Sequence, residues 1–415
     1  MNLFRRSPKK LFLALATMTF ATMTIASCGG FSSNNDNNAL QEEFNNSNST
    51  KFTIVATSEL GWTGSGAHSV ITHSDPRTVL SDLTVTATND LAIVGHGKYF
   101  YRIERYQRDN ITKFSVDAPS VPIWQFSTME PADILSTNPY TIVFLSDTKA
   151  YLLRRDSNKA WIVNPSATTQ AGFKIGELDL TQYSPDGGTT PPGMNSGVIV
   201  GGKLFISLQR LDMFWSPSYP SYIAVFDTST DTEIDTGHGS GGLKGIELAV
   251  RNPSGRIKYF GGTIYVAGTI YPDNPGWGTT TWTDYNDYSG IQKINVTTYQ
   301  PNTNLIYKSI KTITYVEIAS ADKGYFIEYS NAGDTALRSF DPMSGTVNPG
   351  NIANIGDSND RDLADIAMDS DGKLWVADNS LTGAGIYIIN TSNDTLSEAP
   401  ISTGLNPKAI TFCEK

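Results

Sequence analysis

Two stretches of the chain hold most of the side chains that could engage a ligand. The first, Arg210 to Pro220, places Phe214, Trp215 and Tyr219 beside Arg210 and Asp212. The second, Tyr271 to Gly290, carries Trp277, Trp282, Tyr285 and Tyr288 with Asp273, Asp284 and Asp287. Aromatic rings on loops give rigid, amphipathic area that stacks on sugars or anchors a partner protein. The competing reading is that the rings pack on one another and hold the insertions down. Acid–base and metal chemistry is poorly provided for. His68, His73, His96 and His238 are all of the histidines, and none stands in an HxH or HExxH spacing. His73 and His96 are the pair placed to approach each other. Asp284 and Asp287, with Asn286, would serve a structural calcium ion in the second stretch. Asp369-Ser370-Asp371-Gly372 opens like a calcium loop but lacks the closing Glu, and reads as a hairpin turn. Tyr101, Arg102, Arg105, Tyr106 and Arg108 form a basic aromatic run, suited to holding an anion or to solvating a strand end. No glycine-rich phosphate loop leads from strand to helix, and no GxSxG elbow is present. No cofactor is expected beyond that calcium.

These residues need a scaffold, and Asp362 to Phe412 shows what it is. Asp362 to Met368 is a short apolar strand, Asp369 to Gly372 a turn, and Lys373 to Ala377 a second strand. Gly385 to Asn390 is a third strand, and Thr395 to Ser402 a more polar fourth. A fresh apolar strand, Ala409 to Phe412, then starts a cycle that the chain does not complete. Antiparallel strands that weaken outward in groups of four are the pattern of a β-propeller blade. The same cycle recurs from Phe52 onward and predicts an all-β protein, a single β-propeller of seven four-stranded blades. In that count Ile246 to Val250 is the inner strand of blade five. The unpaired strand at Ala409 to Phe412 supplies the missing inner strand of blade one, so the ring closes by pairing the two chain ends. In such a ring the loops between second and third strands share one face with the blade-to-blade connections, which places both aromatic stretches together, on neighbouring blades four and five.

The start of the chain is of a different kind. Residues 1–27 read as a signal peptide, with Arg5, Arg6, Lys9 and Lys10 before the apolar run Leu11 to Ile25. The run is short for a membrane span of about 20 residues. Residues 28–50 read as a cysteine followed by an Asn/Ser-rich tether too poor in apolar side chains to bury a core. A soft chain of that length spans about 25 Å. Residues 51–415 form the propeller. With the leader removed, the formal charge falls from −10 to near −14. That acidity argues against nucleic acid as a partner. Of the two cysteines, Cys28 belongs to the leader boundary and Cys413 stands alone, so no disulfide framework is available.

Ile25-Ala26-Ser27-Cys28 resembles the lipobox of bacterial lipoproteins. The resemblance implies cleavage before Cys28, acylation of its thiol and anchoring to the membrane, with multiple acyl chains giving stable attachment. Gly29, rather than a retention Asp, implies delivery to the outer membrane within the bacterial cell envelope. The repeating body, with hairpins such as Gly201-Gly202 and Asp371-Gly372 and polar turns such as Asn390-Thr391-Ser392, resembles the YVTN-type and quinoprotein-like propellers of exported bacterial proteins. This resemblance is to a superfamily and implies the fold alone. Three functions stay open. The leading one is a non-catalytic binding or scaffold module for an envelope protein or glycan. The alternative is a metal-dependent propeller hydrolase or lactonase with Asn89, Asp90, Asn138, Asn195, Asp362 and Asp365 ringing a central channel. A quinone-cofactor dehydrogenase is the least supported.

Overall fold

The computed structural model describes residues 33–415 apart from 62, 271–286, 303, 310, 330–334, 349, 351 and 356–360. The chain divides into Met1–Ala39 and Leu40–Lys415, and the second unit contains the sheets. Seven antiparallel sheets follow one another, each with a main path of four strands. The sheet of blade one takes its inner strand, Asn406–Glu414, from the far end of the chain. That strand pairs antiparallel with Lys51–Ser58, from Lys51 opposite Glu414 to Ser58 opposite Asn406, with one bulge between Ala56 and Thr57. The ring is thus closed by the two ends of the body, as the unpaired apolar strand predicts.

The reasons for each blade are local. Second strands such as Lys203–Leu208 and Lys373–Asp378 are buried along nearly their whole length, because each is covered on both sides by neighbouring blades. Between Val200 and Lys203 the hairpin turns on Gly201 and Gly202, with φ of 56° and 74°, a conformation open to glycine at no steric cost. Burial is concentrated between blades. Each of the seven blade-to-blade interfaces holds its own apolar cluster, such as Tyr151, Leu153, Ile206 and Tyr222 between blades three and four.

A polar latch recurs at these interfaces. Lys149 and Tyr151 both bond to Asp231 in the third-to-fourth-strand turn of the next blade, at 2.8 and 2.6 Å. Lys323 and Tyr325 do the same to Asp394, at 2.9 and 2.6 Å. Both aspartates have positive φ, 56° and 59°, a conformation that Asp tolerates better than most side chains.

Two expectations are corrected. Ile246 to Val250 is not the inner strand of blade five. Ile246–Glu247 pairs instead with Tyr222 and Ile223 of blade four, while Lys258–Phe260 takes the inner position. Ile246, Leu248 and Val250 are buried as an apolar cover between blades four and five, which needs no ladder. The segment expected to be an unstructured tether contains a helix, Ser33–Asn46. Its Phe44 is buried in the blade-one cluster with its ring 5.6 Å from that of Phe52, giving the polar stretch an apolar anchor.

His68 illustrates how tightly the blades close. It is fully buried between blades one and two, its Nε2–H donating to the Pro119 carbonyl at 2.8 Å. Burial, then the Arg102 charge, pushes its pKa from the ordinary 6.5 down to about 3. The unfolded chain therefore takes up a proton that the folded chain refuses, and stability is complete above pH 6.5 and lost as pH falls toward 3. This one group contributes up to roughly 5 kcal/mol of that loss. Urea unfolding as a function of pH is expected to show a shallower acid limb for His68→Gln than for the parent; equal limbs would refute the assignment.

Candidate functional site: channel and channel mouth

The inner strands surround a central channel of about 1880 Å³. Its wall is built from side chains that several blades send inward. Arg256, at the entry to the inner strand of blade five, chelates Asp365 of blade seven at 2.6 and 3.0 Å. It also donates to the Ile366 carbonyl at 2.7 Å, while the Ile410 N–H donates to Asp365 at 2.8 Å. Asp365 is fully buried; burial pushes its carboxyl up and Arg256 pulls it back down. In blade two, Arg105 donates through Nε to Asp90 at 2.7 Å and lies 4.4 Å over the Tyr140 ring of blade three. Lys258 pairs with Glu317 at 2.5 Å.

Tyr315 is the most constrained of these residues. It stands at a bulge between Thr314 and Val316 with φ 47°, an outlier for an aromatic side chain. Gly255 packs on it so closely that a Cβ there would lie 2.9 Å from the Tyr315 nitrogen, and Asn195 fixes the Gly255 carbonyl at 2.8 Å. The Tyr315 ring lines the channel, within electrostatic reach of Asp365, Arg256, Tyr140 and Arg105. Burial, then Asp365, holds its phenol protonated far above the usual range.

The channel mouth carries the first aromatic loop. Asp212 organises it, accepting the Phe214 and Ser216 N–H groups at 2.9 Å each and the Ser218 hydroxyl at 2.7 Å. The loop is therefore held chiefly by a carboxylate, and its Trp215 and Tyr219 rings lie against arginines rather than against one another. Phe214 and Trp215 stay 56% and 48% exposed, and Trp215 lies 4.6 Å over the Arg155 guanidinium of blade three. Tyr219 is half-buried near Arg210. Arg251 links the two stretches: it donates to the Pro217 carbonyl at 2.7 Å and lies 4.0 Å over the ring of Tyr288. Trp277, Trp282, Tyr285 and Asp284 lie outside the described residues. Asp287 pairs with Lys308 at 2.6 Å. By topology the same face also presents Leu60, Tyr106, Ile134, Leu135 and Leu381, all exposed.

Other expected sites are taken apart by the fold. His73 and His96 have separate partners: His73 bonds to Thr53 and stacks on Trp375, while His96 bonds to Asp147 and stacks on Phe144. The run from Tyr101 to Arg108 is not one patch. Strand alternation sends Tyr101 into the interface with blade three and Arg102 into that with blade one, where it meets Glu104 at 3.1 Å. Asp369 is a hairpin anchor, accepting the Asp371 and Lys373 N–H groups and the Trp375 indole. Among the described residues, His73, Asp369 and Asp371 are the one group of His, Cys, Asp or Glu close enough to share an ion, but the Lys51 ammonium already pairs with Asp371. The acids proposed to ring the channel are spent on Arg105, Arg256 and, for Asp362, the Asn379 amide. Arg256, Tyr315 and Lys408 were not singled out from the sequence; only Gly255, before Arg256, hints at a close backbone approach.

No protein family model matches the chain, and no curated protein matches it. Among solved structures it is similar to a candidate 6-phosphogluconolactonase from Bacteroides fragilis, with 12% identity, a TM-score of 0.56, and 88% of this chain and 98% of that one covered. A second, from Bacteroides uniformis, gives 11% identity and a TM-score of 0.53 over 88% of this chain and 99% of that one. At such identity the likeness concerns the fold, that of a seven-bladed β-propeller.

Proposed function

We propose that this chain is an exported, lipid-anchored binding module that holds an envelope protein or glycan on its channel-mouth face. The observation that carries the reading is the exposure of Phe214 and Trp215 on a loop fixed independently by Asp212. Rings held outward on a preordered loop lose little entropy on binding and offer the aromatic area found at the centres of interfaces. Acylation at Cys28 would keep this face at the outer membrane, and the lipobox-like Ile25 to Cys28 supports that placement. Among the described residues no helix is long and apolar enough to cross a membrane. The distant fold likeness to candidate lactonases also keeps a hydrolase in view, but the channel carboxylates are engaged by arginines and amides, which favours binding over metal-assisted hydrolysis.

The test is capture from crosslinked cells with the full chain, beside Phe214→Ala/Trp215→Ala and beside Cys28→Ser. The double variant is expected to fold and to lose about 1 kcal/mol or less, since Phe214 is exposed and Trp215 is half-exposed with its ring on Arg155. It should nevertheless lose the envelope component that the parent captures, and Cys28→Ser should leave the membrane fraction. Equal capture by parent and double variant would defeat the reading of this face.

A further inference from the structure

We propose that the central channel is a binding site for a small anion carrying a carboxylate or phosphate group. Donors outnumber open acceptors among the charged and polar side chains of the channel wall, whatever the role of the mouth loops. The two carboxylates paired with the channel arginines are fully engaged, although the Asn379 carbonyl and one Asp362 oxygen remain open. Asp365 receives Arg256 on both oxygens and the Ile410 N–H besides. Asp90 receives Arg105 on one oxygen and the Tyr106 N–H on the other.

Donors remain over. Lys408, from the closing strand, lines the channel half-buried and has no ion-pair or hydrogen-bond partner among the described residues. The Tyr315 phenol, neutral and aimed by its bulge, likewise has none. Arg105 spends Nε and Nη2 on Asp90, leaving Nη1 without an acceptor. Thr314, 4% exposed and also on the channel wall, has a hydroxyl with no partner. Of these groups only the Thr314 hydroxyl is enclosed; the Lys408, Tyr315 and Arg105 donors are open to the channel, where a ligand can take the place of water. A wall with paired carboxylates, an unpaired ammonium and unsatisfied N–H and O–H groups selects a ligand rich in acceptors and negatively charged. Tyr315 then plays the part that strained residues commonly play, a donor fixed in advance by the scaffold. The channel is wide enough to admit such a ligand without rearrangement.

The experiment is calorimetric titration of the full chain, at constant ionic strength in chloride, with inorganic phosphate, glucuronate, glucose 6-phosphate and, as neutral control, glucose. Saturable binding of at least one anionic probe with no binding of glucose is expected. Phosphate against glucuronate separates the two anionic groups. Lys408→Gln and Tyr315→Phe, both near-isosteric and retaining the fold by thermal melt, should each weaken that binding by about tenfold, the scale of one charge-assisted hydrogen bond. Phe214→Ala/Trp215→Ala should leave it unchanged, which separates this site from the mouth face. The proposal is overturned if none of the three anions binds saturably, or if the anion that binds is unaffected by both channel variants.

Discussion

Deleting Asn406–Lys415 is expected to abolish cooperative folding of the body. The segment is the inner strand of blade one, paired along Lys51–Ser58. Without it, that strand's ladder edge faces the channel unpaired, and an open edge of this length invites pairing with other chains. The losses extend beyond the ladder. Ile410 sits in the cluster between blades seven and one with Val55, Ile71 and Trp375, and Cys413 sits in the cluster between blades one and two. Gly95 of blade two packs so tightly on the Phe412 carbonyl that a Cβ there would lie 2.0 Å away, a contact that exists only with the strand in place. Removing it also takes the Ile410 N–H from buried Asp365. Two blade-to-blade interfaces and the blade-one ladder fail together. Circular-dichroism melts and size-exclusion chromatography should show an aggregating chain without a single sharp transition, whereas removal of Lys415 alone should melt as the parent does. A truncated chain that melts cooperatively within about 2 °C of the parent would show that the closure is dispensable.

The closure was legible because Ala409 to Phe412 is an apolar strand beyond the fourth strand of blade seven, and a strand demands a neighbour. Hairpins were legible for a similar reason: Gly201-Gly202 and Asp371-Gly372 carry their conformation in their own residue types. Where two apolar runs compete, that clarity ends. Ile246 to Val250 and Ile257 to Phe260 both suit an inner strand, and only the second lies directly before the Gly261-Gly262 hairpin. The lysine–tyrosine latches were written openly, as Lys149-Ala150-Tyr151 and Lys323-Gly324-Tyr325, yet their aspartates stand in the following blade and no local pattern joins them.

The site was less legible than the fold for the same physical reason. Arg256 and Asp365 are 109 residues apart, and neither has a neighbour that announces the other. Tyr315 takes its positive φ at the irregularity between Thr314 and Val316, with Gly255 packed against it, and no preference of tyrosine announces it. The aromatic loop at Phe214 and Trp215 was recognisable by composition. That its rings point outward depends on Asp212, whose acceptance of two N–H groups decides between exposure and mutual packing.

Arg256→Met should be the most damaging single side-chain change in the channel. It leaves Asp365, fully buried, with the Ile410 N–H in place of a chelating guanidinium. Breaking a fully buried pair by removing one partner costs about 3–5 kcal/mol. Because Arg256 keeps 34% of its side chain exposed, water already screens the pair, and the loss is expected toward or below the low end of that range. Urea unfolding should therefore place Arg256→Met well below the parent at neutral pH. The pH dependence of the difference identifies the cause. Without the guanidinium the folded-state pKa of Asp365 rises further above its unfolded value. A carboxyl raised in this way is tolerated while protonated and penalised as pH climbs through the folded pKa. The gap between parent and variant should consequently narrow in acid and widen toward neutrality. Replacing both partners, as Arg256→Met/Asp365→Leu, should recover most of the loss, since an apolar pair of similar volume leaves no stranded charge. If the double variant is as unstable as Arg256→Met alone, the guanidinium's packing rather than its charge holds blades five and seven across the channel.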